Sequence, residues 1–244
     1  MKVKEIYDYL NSLSPFDLQE KWDNSGLIVG SFEDEIKRVY ISLDLDLEMI
    51  DQIKANSLII THHPLIFSPL KRINNDRYST KILKKLIKKD IVLISMHTNI
   101  DKTHLNSFVG REILGLNFLQ KDDFVYQADV DMSFKELQKL IKKRLSIDTL
   151  KVVDCNKRIK TVALTTGSGM SLLPSIKADC FLTGDIKYHE AMEAKALEIS
   201  LIDIGHYESE CHFATLLEQL LKKYLKLNEI KGIIIASQNP FDYK

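Results

Sequence analysis

The chain has few cysteines, no surplus of charge and no long hydrophobic run. Its 244 residues include three cysteines, and 34 lysines and arginines balance 34 aspartates and glutamates. This balance argues against nucleic acid or an anionic membrane as a partner, because clustered basic residues hold both. No segment reaches the roughly 18 apolar residues of a membrane span. With 45% hydrophobic and 28% charged residues, the chain belongs among globular proteins.

The three cysteines, Cys155, Cys180 and Cys211, form neither an even set nor a closely spaced ligand pair. This usage fits a reducing compartment, and we expect all three to be small buried hydrophobic residues. The first residues have apolar side chains at helical spacing, unlike the continuous apolar stretch of a signal peptide. We therefore expect a cytoplasmic protein.

Predicted strands and helices alternate along the whole chain. The apolar, β-branched segments 57–61 and 91–96 are typical of buried strands, whereas residues 78–90 have the spacing of an amphipathic helix. Ser133, followed three residues later by Glu136, forms a capping-box signal for another helix. The alternation predicts an α/β architecture with mixed, largely parallel sheets.

The length suggests two modest domains, since a domain averages about 150 residues. We place the first at residues 1–124 and the second at residues 125–244. The boundary is approximate because no low-complexity linker marks it. Within the second domain, residues 206–226 are predicted to form one long helix.

Polar residues capable of binding metal follow the ends of three predicted strands. They are His62 and His63 after the first, Asp101 just past the second, and His206 and Glu210 after the third. Ligands of open α/β sheets bind at the carboxyl ends of strands, so we expect these side chains to share one site. His206 and Glu210 are spaced i and i+4 on a predicted helix and therefore lie on one face.

This mixture of imidazoles and carboxylates without a thiolate is typical of two divalent metal ions. Adjacent strand residues point to opposite faces, so His62 and His63 are best accommodated by one ion each. Glu210 could bridge the two ions. The ligand types suit zinc, with manganese or iron as alternatives. Because two close ions activate a water molecule, the set indicates a metal-dependent hydrolase with a small-molecule substrate.

Two alternatives stay open at this stage. A protein that stores, delivers or senses metal ions without turnover would use the same ligands, and a lone histidine at a strand end is often structural. The segment Thr165–Ser171, with Gly167 and Gly169, follows a strand. Its backbone amides could hold an anion, although a structural turn is the favoured interpretation.

Five ordered motifs, spread over nearly the whole chain, resemble those of the NIF3-like family. They are WDNSGLIVG (Trp22–Gly30), THHP (Thr61–Pro64), HTNID (His97–Asp101), TGDIKYHE (Thr183–Glu190) and GHYESE (Gly205–Glu210). Bacterial members of this family are labelled GTP cyclohydrolase 1 type 2 homologues. The resemblance implies a hydrolase acting on a nucleotide-like or phosphorylated small molecule.

The resemblance also implies two similar α/β lobes with a dinuclear metal cleft between them, and a toroidal homohexamer. It implies the same five metal ligands that the strand ends indicate: His62, His63, Asp101, His206 and Glu210. It makes His189 a candidate general acid or base and His97 a pocket residue with a catalytic or supporting role. Because the family often has glutamate in place of Asp185, this shorter residue is expected only to shape its turn.

Overall fold

The computed structural model describes residues 1–242, and the chain divides into two compact units. The first unit comprises Met1–Ile100 and the chain from Phe213 onward, and the second is Asp101–His212. The predicted boundary near residue 124 does not coincide with this division. In addition, β11 (Lys231–Ile234) pairs in parallel with β2 (Arg38–Ser42), so the C-terminal part belongs to the first unit.

The first unit contains a five-stranded sheet in the order β1-β4-β3-β2-β11. Its remaining strands are β1 (Gly26–Val29), β3 (Ser57–Thr61) and β4 (Ile91–Ser95). Its helices are α1 (Val3–Leu13), α2 (Leu47–Gln52), α3 (Tyr78–Lys88), α4 (Thr98–Ile100) and α9 (Phe213–Leu227). β1 runs antiparallel to β4, and the other neighbouring strands are parallel.

The unbroken apolar segments of the first unit are the strands in the centre of its core. β3 and β4 are buried at every position, as expected for central parallel strands that are covered on both faces. α3 buries Ile82 and Leu86 in the same cluster and leaves its lysines outside. The cluster consists of Tyr40, Leu45, Met49, Ile50, Ile53, Ile59, Ile82, Leu86, Ile91 and Leu93.

The second unit contains a six-stranded sheet in the order β5-β6-β8-β9-β10-β7. The strands are β5 (Leu119–Gln120), β6 (Tyr126–Ser133), β7 (Lys151–Val153), β8 (Arg158–Leu164), β9 (Cys180–Thr183) and β10 (Ser200–Asp203). The helices are α5 (Asn106–Phe108), α6 (Phe134–Leu145), α7 (Tyr188–Ala196) and α8 (His206–Glu210), with a 3₁₀ turn over Met170–Ser175. A buried cluster that includes Phe181, Leu201 and Ala194 joins α7 to this sheet.

The predicted α/β architecture with mixed sheets is confirmed. Parallel pairing predominates in the first unit, but the second unit has parallel pairs only between β8, β9 and β10. β5, β6 and β7 run antiparallel to their neighbours.

Two predicted local structures differ from the observed ones. The single helix expected over residues 206–226 is interrupted at Cys211 and His212, where the chain passes from the second unit to the first. Residues 98–113, for which no helix was predicted, are helical and include the π-helical turns Asp101–Leu105 and Val109–Ile113. Asp101 therefore begins a π-helical turn.

The cysteines are free, and only Cys180 is fully buried. Cys155 and Cys211 are half-buried, so the expectation of three buried thiols is correct for Cys180 alone. Burial raises the pKa of the Cys180 thiol well above its ordinary value, and it raises the pKa of Cys211 to about 11. Across residues 1–242, no helix is both long enough and apolar enough to span a membrane.

Candidate metal centre

Three histidines of the first unit come together where two parallel strands end. His62 and His63 follow β3, and His97 follows the neighbouring strand β4. One ring nitrogen of each histidine lies within 4.8 Å of those of the other two, and the ring centroids are 4.9 to 5.5 Å apart. The structure therefore places His97, the expected pocket residue, beside His62 and His63, and the site shared by all five predicted ligands stays a prediction.

The adjacent histidines can share this region because the regular strand stops before them. The backbone N–H groups of His62 and His63 both donate to the carbonyl oxygen of Leu43, at 3.1 and 3.2 Å. In a regular strand, successive residues point to opposite faces. The shared acceptor marks the break in that pattern, and the two rings consequently lie 4.9 Å apart.

Each of the three imidazoles has its Nδ1 atom held by an acceptor. The acceptors, 2.8 to 2.9 Å from Nδ1, are Met96 O for His62, Asp44 Oδ1 for His63 and Asp23 Oδ1 for His97. Carbonyl and carboxylate oxygens only accept hydrogen bonds, so Nδ1 carries a proton in each ring, and in the neutral imidazole Nε2 is then the nitrogen with the lone pair. Histidines that bind metals are typically oriented in this way.

Asp23 is the more enclosed of the two carboxylate acceptors, with a side chain that is 0% exposed against 46% for Asp44. It also accepts hydrogen bonds from Thr98 and from Ser25. Burial alone would raise the pKa of Asp23, but the hydrogen bonds from His97 and Thr98 outweigh burial and hold that pKa well below its ordinary value. Asp23 is therefore an anionic acceptor that fixes the His97 ring.

The second unit places His206 and Glu210 on one face of α8. His206 Nε2 lies 3.0 Å from Glu210 Oε2, and His206 Nδ1 donates to Asp185 Oδ2 at 2.7 Å. Because Nδ1 holds the proton, the Nε2 lone pair of a neutral His206 faces the Glu210 carboxylate. Two acceptors at this distance repel each other unless a proton or a metal ion lies between them. The pair could therefore hold either a proton or a metal ion between these two atoms.

Gly167 allows the loop after β8 to pass directly against this pair. Its φ is +62°, and a Cβ at this position would lie 2.1 Å from Glu210 Oε1. The loop amides are already used, because the N–H groups of Thr166, Gly167 and Gly169 donate to side chains of the second unit. Of the two interpretations of this loop, the structural turn is therefore favoured over an anion site.

Asp101 and His189 occupy different settings within the second unit. Asp101 is buried, and its backbone carbonyl accepts a hydrogen bond from Asn106 Nδ2 at 3.1 Å. His189 is exposed on α7, where its ring makes an edge contact with Tyr188 at 5.2 Å between centroids. A catalytic role for His189 stays a prediction.

Each unit, taken by itself, has donor atoms that suit a divalent metal ion. The first unit offers imidazole nitrogens, and the second offers an imidazole nitrogen beside a carboxylate oxygen. These are ligands that zinc, manganese and iron accept, and the cysteines take no part.

The sequence model of one protein family matches almost the whole chain. It is Duf34/NIF3 (NGG1p interacting factor 3), and it matches residues 1–240. The chain belongs to the DUF34/NIF3 family. The family resemblance of the five motifs is thereby confirmed.

Similar proteins cover this DUF34/NIF3 chain from end to end. A Campylobacter jejuni protein named GTP cyclohydrolase 1 type 2 homolog is 49% identical over 244 residues, which is 100% of both chains. A Helicobacter pylori protein named GTP cyclohydrolase 1 type 2 is 46% identical over 94% of this chain and 96% of its own. The crystal structure of Staphylococcus aureus protein SA1388 has a TM-score of 0.89 at 27% identity and covers 100% and 99% of the two chains.

Sequence reasoning on this DUF34/NIF3 chain missed the carboxylates that orient its histidines. Asp185, expected only to shape a turn, follows β9 and hydrogen-bonds to His206, which follows the parallel strand β10. Asp44 lies just past β2 and hydrogen-bonds to His63. Both aspartates follow the carboxyl ends of parallel strands. The rule that identified the histidines could therefore have identified these carboxylates as well.

Proposed function

We propose that this DUF34/NIF3 protein is a metal-dependent hydrolase with two divalent ions bound by residues of both units. The proposed ligands are His62, His63, Asp101, His206 and Glu210. The observation that carries the proposal is that His62, His63 and His206 each have Nδ1 hydrogen-bonded to an oxygen atom, the orientation in which a histidine presents Nε2 to a metal ion. Zinc is the proposed metal, with manganese or iron as alternatives.

Two such ions would lower the pKa of a bound water and polarise the group it attacks. The protein's own contribution is orientation, because Asp44 and Asp185 fix the imidazoles of His63 and His206. We assign His97, held by Asp23, to the wall of the site beside His62. His189 is proposed to transfer a proton to or from the substrate.

The substrate class and the assembly are further parts of this proposal. Two relatives have names that contain GTP cyclohydrolase 1 type 2, which supports hydrolysis of a nucleotide-like or phosphorylated small molecule. The toroidal homohexamer implied by the family resemblance and the cytoplasmic location expected from the sequence stay predictions. Light scattering that gives a mass other than that of six chains would contradict the hexamer.

Elemental analysis of the purified protein tests the metal site. We expect about two divalent ions per chain, and we expect Glu210→Gln and His63→Ala each to lose most of this content. His189→Ala is the matched control, because it removes an exposed imidazole and is expected to retain the metal. Full retention of metal in both ligand variants would contradict the proposed ligand set.

Turnover is tested separately with a panel of nucleotides, phosphomonoesters and cyclic amides, with and without a chelator. We expect activity that the chelator abolishes and that His189→Ala reduces by about 10²-fold, the usual contribution of a general acid or base. A fully loaded protein that converts none of these compounds would indicate a protein that stores, delivers or senses metal ions.

A further inference from the structure

The loop that follows His63 forms one wall of a basic cavity in the first unit. The cavity has a volume of about 660 Å³, and its lining includes Phe67, Lys71, Arg72, Asn74, Arg77 and Ser79. Among the described residues, the lining contains no aspartate or glutamate. The volume lies in the range of small-molecule sites, which is about 300 to 1,000 Å³.

The described residues offer no ion-pair partner to the three basic side chains that line this cavity. Within residues 1–242, the side chains of Lys71, Arg72 and Arg77 form no ion pair with a carboxylate. All three are exposed. Three cations around one concave surface repel one another, and an anion that binds among them relieves the repulsion. Arginine binds phosphate oxygens through paired N–H groups, which makes phosphate a well-matched anion.

An exposed aromatic pair lies at the same loop, beside the candidate metal histidines. Trp22 is 57% exposed and Phe67 is 51% exposed, and their ring centroids are 5.7 Å apart. The His97 ring lies 6.0 Å from Trp22 and 6.3 Å from Phe67. Asn24 Nδ2 donates to the carbonyl oxygen of Ile66 at 2.5 Å, which ties the Trp22 loop to the Phe67 loop.

We propose that this surface binds a phosphorylated heteroaromatic compound. Its planar ring would stack on Trp22 and Phe67, and its phosphate groups would contact Lys71, Arg72 and Arg77. Phe67 belongs to both the aromatic pair and the cavity lining, so one ligand can reach both parts. The inference deepens the proposed function, because it identifies residues that would hold such a substrate beside His97.

The proposal also predicts the selectivity of the surface. Stacking on an aromatic side chain tolerates every base, since each base presents a π face. The phosphate contacts recognise charge, and they form no hydrogen bonds with the edges of the base. We therefore expect ATP and GTP to bind with similar affinity, and each to bind more tightly than its nucleoside.

Trp22 is the only tryptophan of the chain, so its fluorescence reports on this surface directly. The full-length protein as purified is titrated with ATP, GTP, the two nucleosides and inorganic triphosphate. We expect saturable quenching by both nucleotides and at least tenfold weaker quenching by the nucleosides. Inorganic triphosphate should displace the nucleotides without quenching. Absence of nucleotide quenching, or equal affinity for nucleotide and nucleoside, would overturn the proposal.

Variants separate the two halves of the surface. Arg72→Gln combined with Arg77→Gln should weaken nucleotide binding about tenfold or more and leave nucleoside binding unchanged. Phe67→Leu should weaken both by about fivefold or more. Lys88→Gln and Phe241→Leu, which change an exposed cation and an exposed phenylalanine outside the cavity, are the controls. Wild-type affinity in the double arginine variant would refute the phosphate assignment.

Repeating the titration in EDTA distinguishes this inference from the proposed function. The aromatic and basic residues need no metal, so quenching should persist when the metal is removed. If elemental analysis finds no bound metal but quenching follows the expected order, the hydrolase proposal fails and the ligand surface stands. If metal is bound but no nucleotide quenches Trp22, the ligand surface fails and the metal centre stands.

Discussion

At the scale of single residues, the acceptors of the histidine Nδ1 atoms differ in how firmly they can hold a ring. Asp23 is fully enclosed, whereas the side chains of Asp44 and Asp185 are 46% and 51% exposed. Water competes for an exposed carboxylate, so its hydrogen bond contributes less than the buried one. His97 should therefore be the most rigidly oriented of the three histidines held by carboxylates.

Asp185→Asn tests the contribution of an exposed acceptor. Asp185 has a φ of +56°, a conformation that asparagine also adopts, so the backbone should be preserved. The neutral amide is a weaker acceptor for His206 Nδ1, and zinc affinity should fall about tenfold, as measured by competition with a chromophoric chelator. Asp129→Asn, at an exposed position of the same unit, is the control. Unchanged zinc affinity in Asp185→Asn would show that His206 does not depend on this carboxylate.

Individual ligand positions could be predicted from the sequence, but which carboxylate supports which histidine could not. His62, His63 and His206 stand out because polar residues abruptly follow apolar strands. Asp185 also follows an apolar strand, but its contact with His206 depends on β9 and β10 being parallel neighbours, a pairing that the sequence does not state. Gly167 is similar, since only the folded loop shows that a Cβ would overlap Glu210.

At the scale of elements, the start of α6 was well specified by its own residues. Ser133 Oγ accepts from the Glu136 N–H at 3.3 Å, and Glu136 Oε2 accepts from the Ser133 N–H at 2.7 Å. This reciprocal pair is the capping box that the sequence predicts. By contrast, the helix over residues 98–113 was missed, because its π-helical turns depart from the 3.6-residue periodicity by which helices are recognised.

Ser133→Ala should lower the free energy of unfolding by about 1 kcal/mol, because the N–H of Glu136 loses its acceptor. Urea unfolding monitored by circular dichroism measures this change. Glu136→Ala and the double variant complete a double-mutant cycle with Ser133→Ala. The two losses of unfolding free energy should not add, since each single variant already disrupts the same capping box. Lys139→Ala, on the exposed side of α6, should change stability by less than about 0.5 kcal/mol. Fully additive losses would contradict a coupled cap.

At the scale of the whole molecule, the order of segments along the sequence does not show which of them belong to the same unit. β11 lies near the end of the sequence but pairs with β2, and α9 joins the first unit directly after α8 completes the second. Alternating strands and helices predicted the α/β class correctly. The alternation could not show that the C-terminal segment rejoins the first unit. Two strands that pair from opposite ends of the chain leave no local pattern in the sequence.

The same organisation gives the proposed metal centre a consequence for stability. Its proposed ligands include His63, which belongs to the first unit, and His206, which belongs to the second. An ion that binds only the folded chain stabilises it by about 2.7 kcal/mol when its free concentration is 100-fold above the dissociation constant. For a chain of this length, that corresponds to a rise of about 5 to 10 °C in the unfolding temperature.

We therefore expect zinc added to the EDTA-treated protein to raise the unfolding temperature measured by differential scanning calorimetry. His63→Ala and His206→Ala should each remove most of the rise, because each takes a ligand from a different unit. Lys88→Gln is the control and should keep the full shift, since its side chain lies outside the proposed ligand set. If only one histidine variant loses the shift, the ions are held within one unit, and ligation shared by both units is wrong.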